Sequence, residues 1–133
     1  MRQEAVIRVA EGESEPGVIG RGVRQGCPLS PLLFSIYAEM LMLEAMEKVD
    51  EGVKIGGVLL KDIRFADDQG MVASTEKGLQ KLIQVLNETS KNYGMKINVK
   101  KTKAMVVSNI RGRTVNIDIE GQRVEQVDKF KYL

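Results

Sequence analysis

Apolar residues fall along this chain in two rhythms, one of period two and one of period three to four, and the changeovers mark its elements. AVIRVA (residues 5–10) and VIGRGV (residues 18–23) have strand character and flank EGESEPG, whose glycines and Pro16 suit a loop, so this stretch predicts a β-hairpin. RQGCPLSP follows, punctuated by Gly26, Pro28 and Pro31. Ser30 before Pro31 predicts a helix start, because serine can cap free amides and proline at the first helical position gives up only an amide that had no partner. Leu33, Tyr37, Met40, Leu41 and Leu43, with Glu39, Glu44, Glu47 and Lys48 among them, predict a helix over about residues 31–49 that is apolar around most of its circumference.

GGVLLKDIRFADDQGMVAS reads as two short strands turning at Asp67 and Asp68. Ser74 or Thr75 can then cap a second helix, whose apolar positions Leu79, Leu82, Ile83, Leu86 and Tyr93 keep helical spacing until Gly94. MKINV alternates Met95, Ile97 and Val99 inward against Lys96 and Asn98 outward. Strand character continues through KAMVV, TVNIDIEG and QRVEQVDKFKYL, with Val115, Ile117 and Ile119 alternating and Gly121 in the last turn. Hairpin, helix, hairpin, helix and further strands make an α+β order, and the expectation is a largely antiparallel sheet with helices packed on one face.

At 133 residues, with no internal repeat or linker-like tract, the chain is one domain or a large part of one. Its 43% hydrophobic and 29% charged residues read as a globular, soluble protein, and no apolar run approaches the roughly 18 residues of a membrane span. The charged N-terminus has no secretory h-region, so an intracellular protein, nuclear or cytoplasmic, is expected. Cys27 is the single cysteine, which excludes an internal disulfide and a multi-thiolate metal site; it is read as a buried or loop residue without a redox role. The absence of histidine removes Ser-His-Asp and Cys-His chemistry and the usual zinc sets. Carboxylate, lysine, hydroxyl, or a hard metal held by oxygen is left for any catalysis.

A net charge of +2 is too small to argue for a polyanionic partner, but its distribution is uneven. Residues 89–117 contain no Asp or Glu, yet hold Lys91, Lys96, Lys100, Lys101, Lys103, Arg111 and Arg113. A nucleic-acid footprint and a solvated face both fit that block.

The adjacent carboxylates of Asp67 and Asp68 repel each other and gain nothing from strand pairing. A solvated turn is one explanation, since aspartate is a favoured turn residue. A hard-cation site is the other, because Mg²⁺ takes oxygen ligands, commonly one or two carboxylates together with substrate phosphate. Phosphate-handling residues do accompany the pair. Upstream, Arg24 and Gln25 offer donors, Gly22 and Gly26 let another backbone come close, and a helix N-terminus follows. Downstream come Lys100, Lys101 and Lys103.

In this order and at these separations, RQGCPLSP, FADD and GMKINVKKT resemble signature blocks of the palm of reverse transcriptases, most closely those of non-LTR retrotransposons of the LINE type. FKYL resembles the start of the primer grip, and the resemblance runs over residues 17–133. It implies an RNA-directed DNA polymerase with a polymerase-palm-like fold, using Mg²⁺ (or Mn²⁺), an RNA template, a DNA primer and deoxynucleoside triphosphates, with no membrane partner. By the same resemblance Asp67 is a direct ligand of both catalytic ions and Asp68 a supporting one, while Phe65 and Ala66 shape the turn beneath the primer end. Arg24, Gln25 and Gly26 line the template and incoming nucleotide. Asn98, Lys101 and Thr102 lie near the triphosphate, where Lys101 assists the departing pyrophosphate. Phe130, Lys131, Tyr132 and Leu133 position the primer.

The physical case agrees: two-ion phosphoryl transfer needs such ligands, and copying by base pairing needs backbone contacts rather than a base-reading code. With three phenylalanines, three tyrosines and no tryptophan, the chain is poorly equipped to bind single strands by stacking.

The family's third metal-binding carboxylate lies upstream of the RQG block, and these residues hold no counterpart. Asp62 would sit about 16 Å from Asp67 along a strand, and nothing in the pattern brings Asp50, Asp118 or Asp128 near. Gly70 is a smaller departure, placing a flexible residue after the aspartates. The expectation is a partial reverse transcriptase domain over residues 1–133, without fingers, first catalytic-Asp strand or thumb, unable to polymerise alone. Two rivals stand beside it: a non-catalytic nucleic-acid-binding module using the 89–117 face, and a non-functional remnant of a decayed element.

Overall fold

The computed structural model describes residues 3–20, 22–65 and 68–131, in two compact units, Met1–Phe34 and Ser35–Leu133. In the first, β1 (Gln3–Ala5) pairs antiparallel with β4 (Gly17–Ile19), and β2 (Arg8–Val9) with β3 (Gly12–Glu13). The expected hairpin is present, but pairing reaches into the predicted loop. Ser14 makes the link: its amide donates to the Ile7 carbonyl at 2.9 Å and its Oγ accepts from the Ile7 amide at 3.0 Å. Val6, Ile7, Val9, Val18 and Ile19 all remain exposed, so among the described residues of its unit the ladder has no apolar backing.

The helix α1 (Ser30–Glu47) starts one residue earlier than predicted and ends two residues sooner. Ser30 does not cap as expected. It is the first helical residue and its buried hydroxyl donates to the Arg24 carbonyl at 2.7 Å, closing the RQG turn onto the helix start.

The second unit holds β5 (Val53–Ile55), β6 (Val58–Leu60), β7 (Asp62–Phe65), β8 (Asp68–Met71), α2 (Glu76–Asn92), β9 (Lys103–Ala104), β10 (Asp118–Ile119), β11 (Gln122–Arg123) and β12 (Glu125–Gln126). β5 and β6 turn on Gly56 and Gly57, both at positive φ (58° and 84°), the backbone that a two-residue hairpin turn demands. Thr75 caps α2 by accepting from the Gly78 amide at 3.0 Å. At its far end Gly94, at φ 66°, donates to the Lys91 carbonyl and Met95 to that of Ser90, so the helix stops where the glycine was expected to stop it.

Two apolar clusters meet at α2. One packs Leu41, Met42, Ala45, Met46 and Val49 against Leu82 and Leu86; the other packs Ile83 with Ala104, Ile117, Ile119 and Val124. At the end of α1, the Lys61 ammonium donates to the carbonyls of Met46 and Val49, satisfying acceptors that a helix terminus leaves open.

The α+β class holds, in the coarse form of two helices and small sheets. The single broad sheet does not appear among the described residues, where the strands form six two-stranded pairings. One of them, β9 with β12, is parallel. MKINV keeps its predicted alternation, Met95, Ile97 and Val99 half-buried and Lys96 and Asn98 exposed, yet takes no strand pairing. Burial alternates with the side chains, whereas a strand needs a neighbouring backbone to bond.

Candidate active site

The β7–β8 ladder opposes Asp62 to Met71, Ile63 to Gly70, Arg64 to Gln69 and Phe65 to Asp68. Opposed residues share a face, and successive residues alternate between faces. Ile63, Phe65, Asp68 and Gly70 therefore form one face, and Asp62, Arg64, Gln69 and Met71 the other. The first is open to solvent at Ile63, Phe65 and Asp68.

The second face is tied down. Arg64 donates from Nη1 to Glu39 of α1, while its Nε lies against Asp62 in an ion pair not aligned as a hydrogen bond. Met71 packs against both apolar clusters, and the Gln69 Oε1 is buried with no hydrogen-bond partner among the described residues. This anchoring was not anticipated from sequence, although Asp62 and Arg64 two residues apart on a strand do signal a shared face. Gly70 continues the ladder in regular register.

Ala66 and Asp67 lie outside the described residues, as do Tyr132 and Leu133. Among the described residues no group of three or more acidic or cysteine side chains is placed to hold a metal ion. Asp68 offers the oxygen donor that Mg²⁺ favours. Asp62 does not join it: its carboxylate points to the opposite face and is engaged by Arg64.

Arg24, Gln25 and Gly26 belong to the first unit and are exposed. Gly22 and Gly26 have positive φ (101° and 85°), and a side chain at either would meet nothing within 4 Å. Within this chain their glycine requirement is one of backbone conformation, and the space beside each is open. Cys27 is half-buried in the following turn, and hydrogen bonding from the Leu29 backbone holds its thiol pKa below the ordinary value.

Asn98, Lys101 and Thr102 come together in one turn. The Asn98 carbonyl accepts from the Lys101 amide at 3.1 Å, from the Thr102 amide at 3.0 Å and from the Thr102 hydroxyl at 2.9 Å. The Asn98 Oδ1 accepts from the Lys101 amide at 3.2 Å. Asn98 and Thr102 thus build the turn, and Lys101 stands exposed on it. Ile97, just before the turn, packs with Met71 against the same two clusters, so hairpin and turn share one foundation. Phe130 and Lys131 are exposed beyond the last strand.

The basic block separates into two kinds of cation. Lys91 is neutralised by Glu120, whose pKa it lowers, and Lys103 by Glu125. Lys96, Lys100, Lys101, Arg111 and Arg113 take part in no ion pair among the described residues.

Comparison with known proteins places these features in a family. Residues 2–133 match the reverse transcriptase (RNA-dependent DNA polymerase) family. The Pol polyprotein of the type-2 retrotransposable element R2DM of Drosophila melanogaster is 36% identical over 88 residues, 66% of this chain and 8% of that protein. A Pol polyprotein of the type-1 retrotransposable element R2 of Nasonia vitripennis is 32% identical over 126 residues, covering 85% of the chain and 12% of its relative. The RNA-directed DNA polymerase from mobile element jockey of Drosophila melanogaster is 24% identical over 116 residues, covering 86% and 13%. The chain therefore spans between 8% and 13% of the length of these curated relatives. With its RQG, FADD and MKINV blocks in order along the sequence, the chain belongs to the reverse transcriptase family, in its non-LTR retrotransposon branch.

Proposed function

We propose that the end of the β7–β8 hairpin is the catalytic-metal platform of an RNA-directed DNA polymerase palm, with Asp67 and Asp68 as its ligands. The observation that carries this reading is the ladder register, which pairs Asp68 with Phe65 on the exposed face while Arg64, Glu39 and Asp62 anchor the other. A ladder anchored on one face presents Asp68 on the other at little further loss of conformational freedom. Bound there, Mg²⁺ would activate a primer 3′-hydroxyl and stabilise the leaving pyrophosphate. Lys101, exposed on its Asn98–Thr102 turn, is suited to the triphosphate, and Arg24, Gln25 and Gly26 to template and nucleotide. Phe130, Lys131, Tyr132 and Leu133, the start of the primer-grip block, are suited to the primer strand. The substrates are an RNA template, a DNA primer and deoxynucleoside triphosphates.

Two-ion transfer calls for a further carboxylate, and Asp62 is committed to Arg64. Polymerisation is accordingly an activity of a longer protein of the kind the relatives represent, and these 133 residues alone do not sustain it. The five cations of the basic block that take part in no ion pair among the described residues favour a second reading, nucleic-acid binding without chemistry.

The two readings separate on metal binding. Mn²⁺ should broaden the amide NMR signals of residues 63–70 in the wild-type chain and leave them sharp in Asp67→Asn/Asp68→Asn. Equal broadening in both proteins would remove the metal role. RNA-templated primer extension with Mg²⁺ or Mn²⁺ is the companion assay: incorporation by the chain alone, lost in Asp67→Asn, would overturn the need for a further ligand.

A further inference from the structure

A second site lies in residues that the reverse transcriptase blocks do not use. The loop between β9 and β10 folds beside β12 to form an open pocket of about 350 Å³, with Ser108, Arg111, Gly112, Arg113, Thr114 and Asp128 in its lining. Two guanidiniums against one carboxylate leave the lining positive. Neither arginine is in an ion pair among the described residues, and both are exposed.

The loop is held at both ends. Gln126 of β12 accepts from the Val115 amide at 2.8 Å through Oε1 and donates to the Arg113 carbonyl at 3.1 Å through Nε2. At the other end the Val127 amide donates to the Ala104 carbonyl at 2.8 Å, continuing the parallel β9–β12 pairing. Within the loop the Ser108 Oγ accepts from the Ile110 amide at 3.1 Å, which leaves its hydroxyl hydrogen available to donate. Gly112 has φ 74°, a conformation that lets the backbone turn between the two arginines.

Forked guanidiniums and hydroxyls around a small polar hollow match the tetrahedral oxygens of a phosphate group, to which arginine donates in pairs. We infer that the Ser108–Thr114 loop is a phosphate site, filled by a backbone phosphate of bound polynucleotide. The pocket stands on its own residues, and assigning the phosphate to a polynucleotide rests on the proposed function. Ile110, exposed and also in the lining, offers apolar contact to a sugar.

The test is fluorescence anisotropy of a short labelled single-stranded RNA with the full chain, over a series of salt concentrations and without divalent metal. Arg111→Gln/Arg113→Gln should weaken binding about ten-fold at low salt and flatten the slope of log K against log salt by about 0.7, the share of one phosphate contact on a single strand. Lys54→Gln/Lys77→Gln removes the same charge at exposed positions outside the pocket and should change either quantity far less. Equal losses in the two double variants, or none in the arginine variant, would overturn the site.

A second arm follows the arginine Nε–H signals by NMR. RNA that shifts Arg111 and Arg113 supports the assignment, whereas shifts with inorganic phosphate and none with RNA would overturn the polynucleotide source. Because this assay omits divalent metal and the Asp67/Asp68 test reads Mn²⁺, failure of one is distinguishable from failure of the other.

Discussion

Met42 and Leu43 are neighbours on α1 with opposite surroundings, which makes them a sensitive test of how the second unit is held together. Met42 is 2% exposed among Leu41, Ala45, Met46, Val49, Leu82 and Leu86, whereas Leu43 is 51% exposed. Truncating a buried methionine loses its transfer free energy and leaves a cavity, about 2–5 kcal/mol in all. A half-exposed leucine loses about half its transfer free energy and leaves no enclosed cavity, so Leu43→Ala should cost under about 1 kcal/mol. Helix propensity favours alanine slightly at both positions and does not separate them. For a unit of this size each kcal/mol moves the midpoint by roughly 4–8 °C, so Met42→Ala should melt about 8–40 °C below wild type and Leu43→Ala within about 8 °C. Far-UV circular dichroism melts and urea titrations of both variants would check this. Equal destabilisation, or a Met42→Ala protein within about 1 kcal/mol of wild type, would refute the assignment of the buried face of α1.

Three further outcomes are expected. Gly52→Ala should destabilise by about 1–3 kcal/mol in urea titration, because its Cβ would lie 2.6 Å from the backbone oxygen of Leu60, an atom that cannot swing aside. Stability should depend on pH through Glu44, whose pKa is lowered chiefly by Lys48, and Tyr93, whose pKa is raised chiefly by its hydrogen bond to Glu44. The Glu44 contribution is present above the ordinary carboxylate pKa and fades as pH falls through the lowered one; the Tyr93 contribution is present below the ordinary tyrosine pKa and fades as pH rises through the raised one. Glu44→Gln should flatten both ends of the melting-temperature profile, and unchanged slopes would discount the pair. In hydrogen exchange, amides of β1–β4, whose apolar side chains are exposed, should exchange orders of magnitude faster than those of residues 82–86 in α2; comparable protection would mean that the ladder has a stabilising partner.

Much of the local structure was legible in the amino-acid order. The period of Leu79, Leu82, Ile83 and Leu86 located α2, and Thr75 and Gly94 marked its ends, because caps and helical spacing act over three or four residues. The alternation of Val115, Ile117 and Ile119 carried through to burial, and that of Met95, Ile97 and Val99 did so without any strand. The block order identified the family, since RQG, FADD and MKINV are contiguous motifs that need no knowledge of what touches what.

Only the tertiary structure decided the rest, because the interactions concerned join residues far apart in the chain. Which side of the apolar α1 is buried was set by Leu82 and Leu86, some forty residues on. Distance along the strand already set Asp62 apart from Asp67, but its place on the face opposite Asp68 came from the hairpin register and its engagement by Arg64 from the fold. The serine expected to cap α1 gave its hydroxyl to Arg24 instead, since a buried donor bonds the nearest open carbonyl. Parallel pairing of β9 with β12 joins Lys103 to Glu125 and brings residues 126–128 beside the 106–114 loop, where the pocket lies. Local sequence carries the propensity of each strand; the choice of partner is made by burial and backbone bonding across the fold, where a single sequence has no local signal.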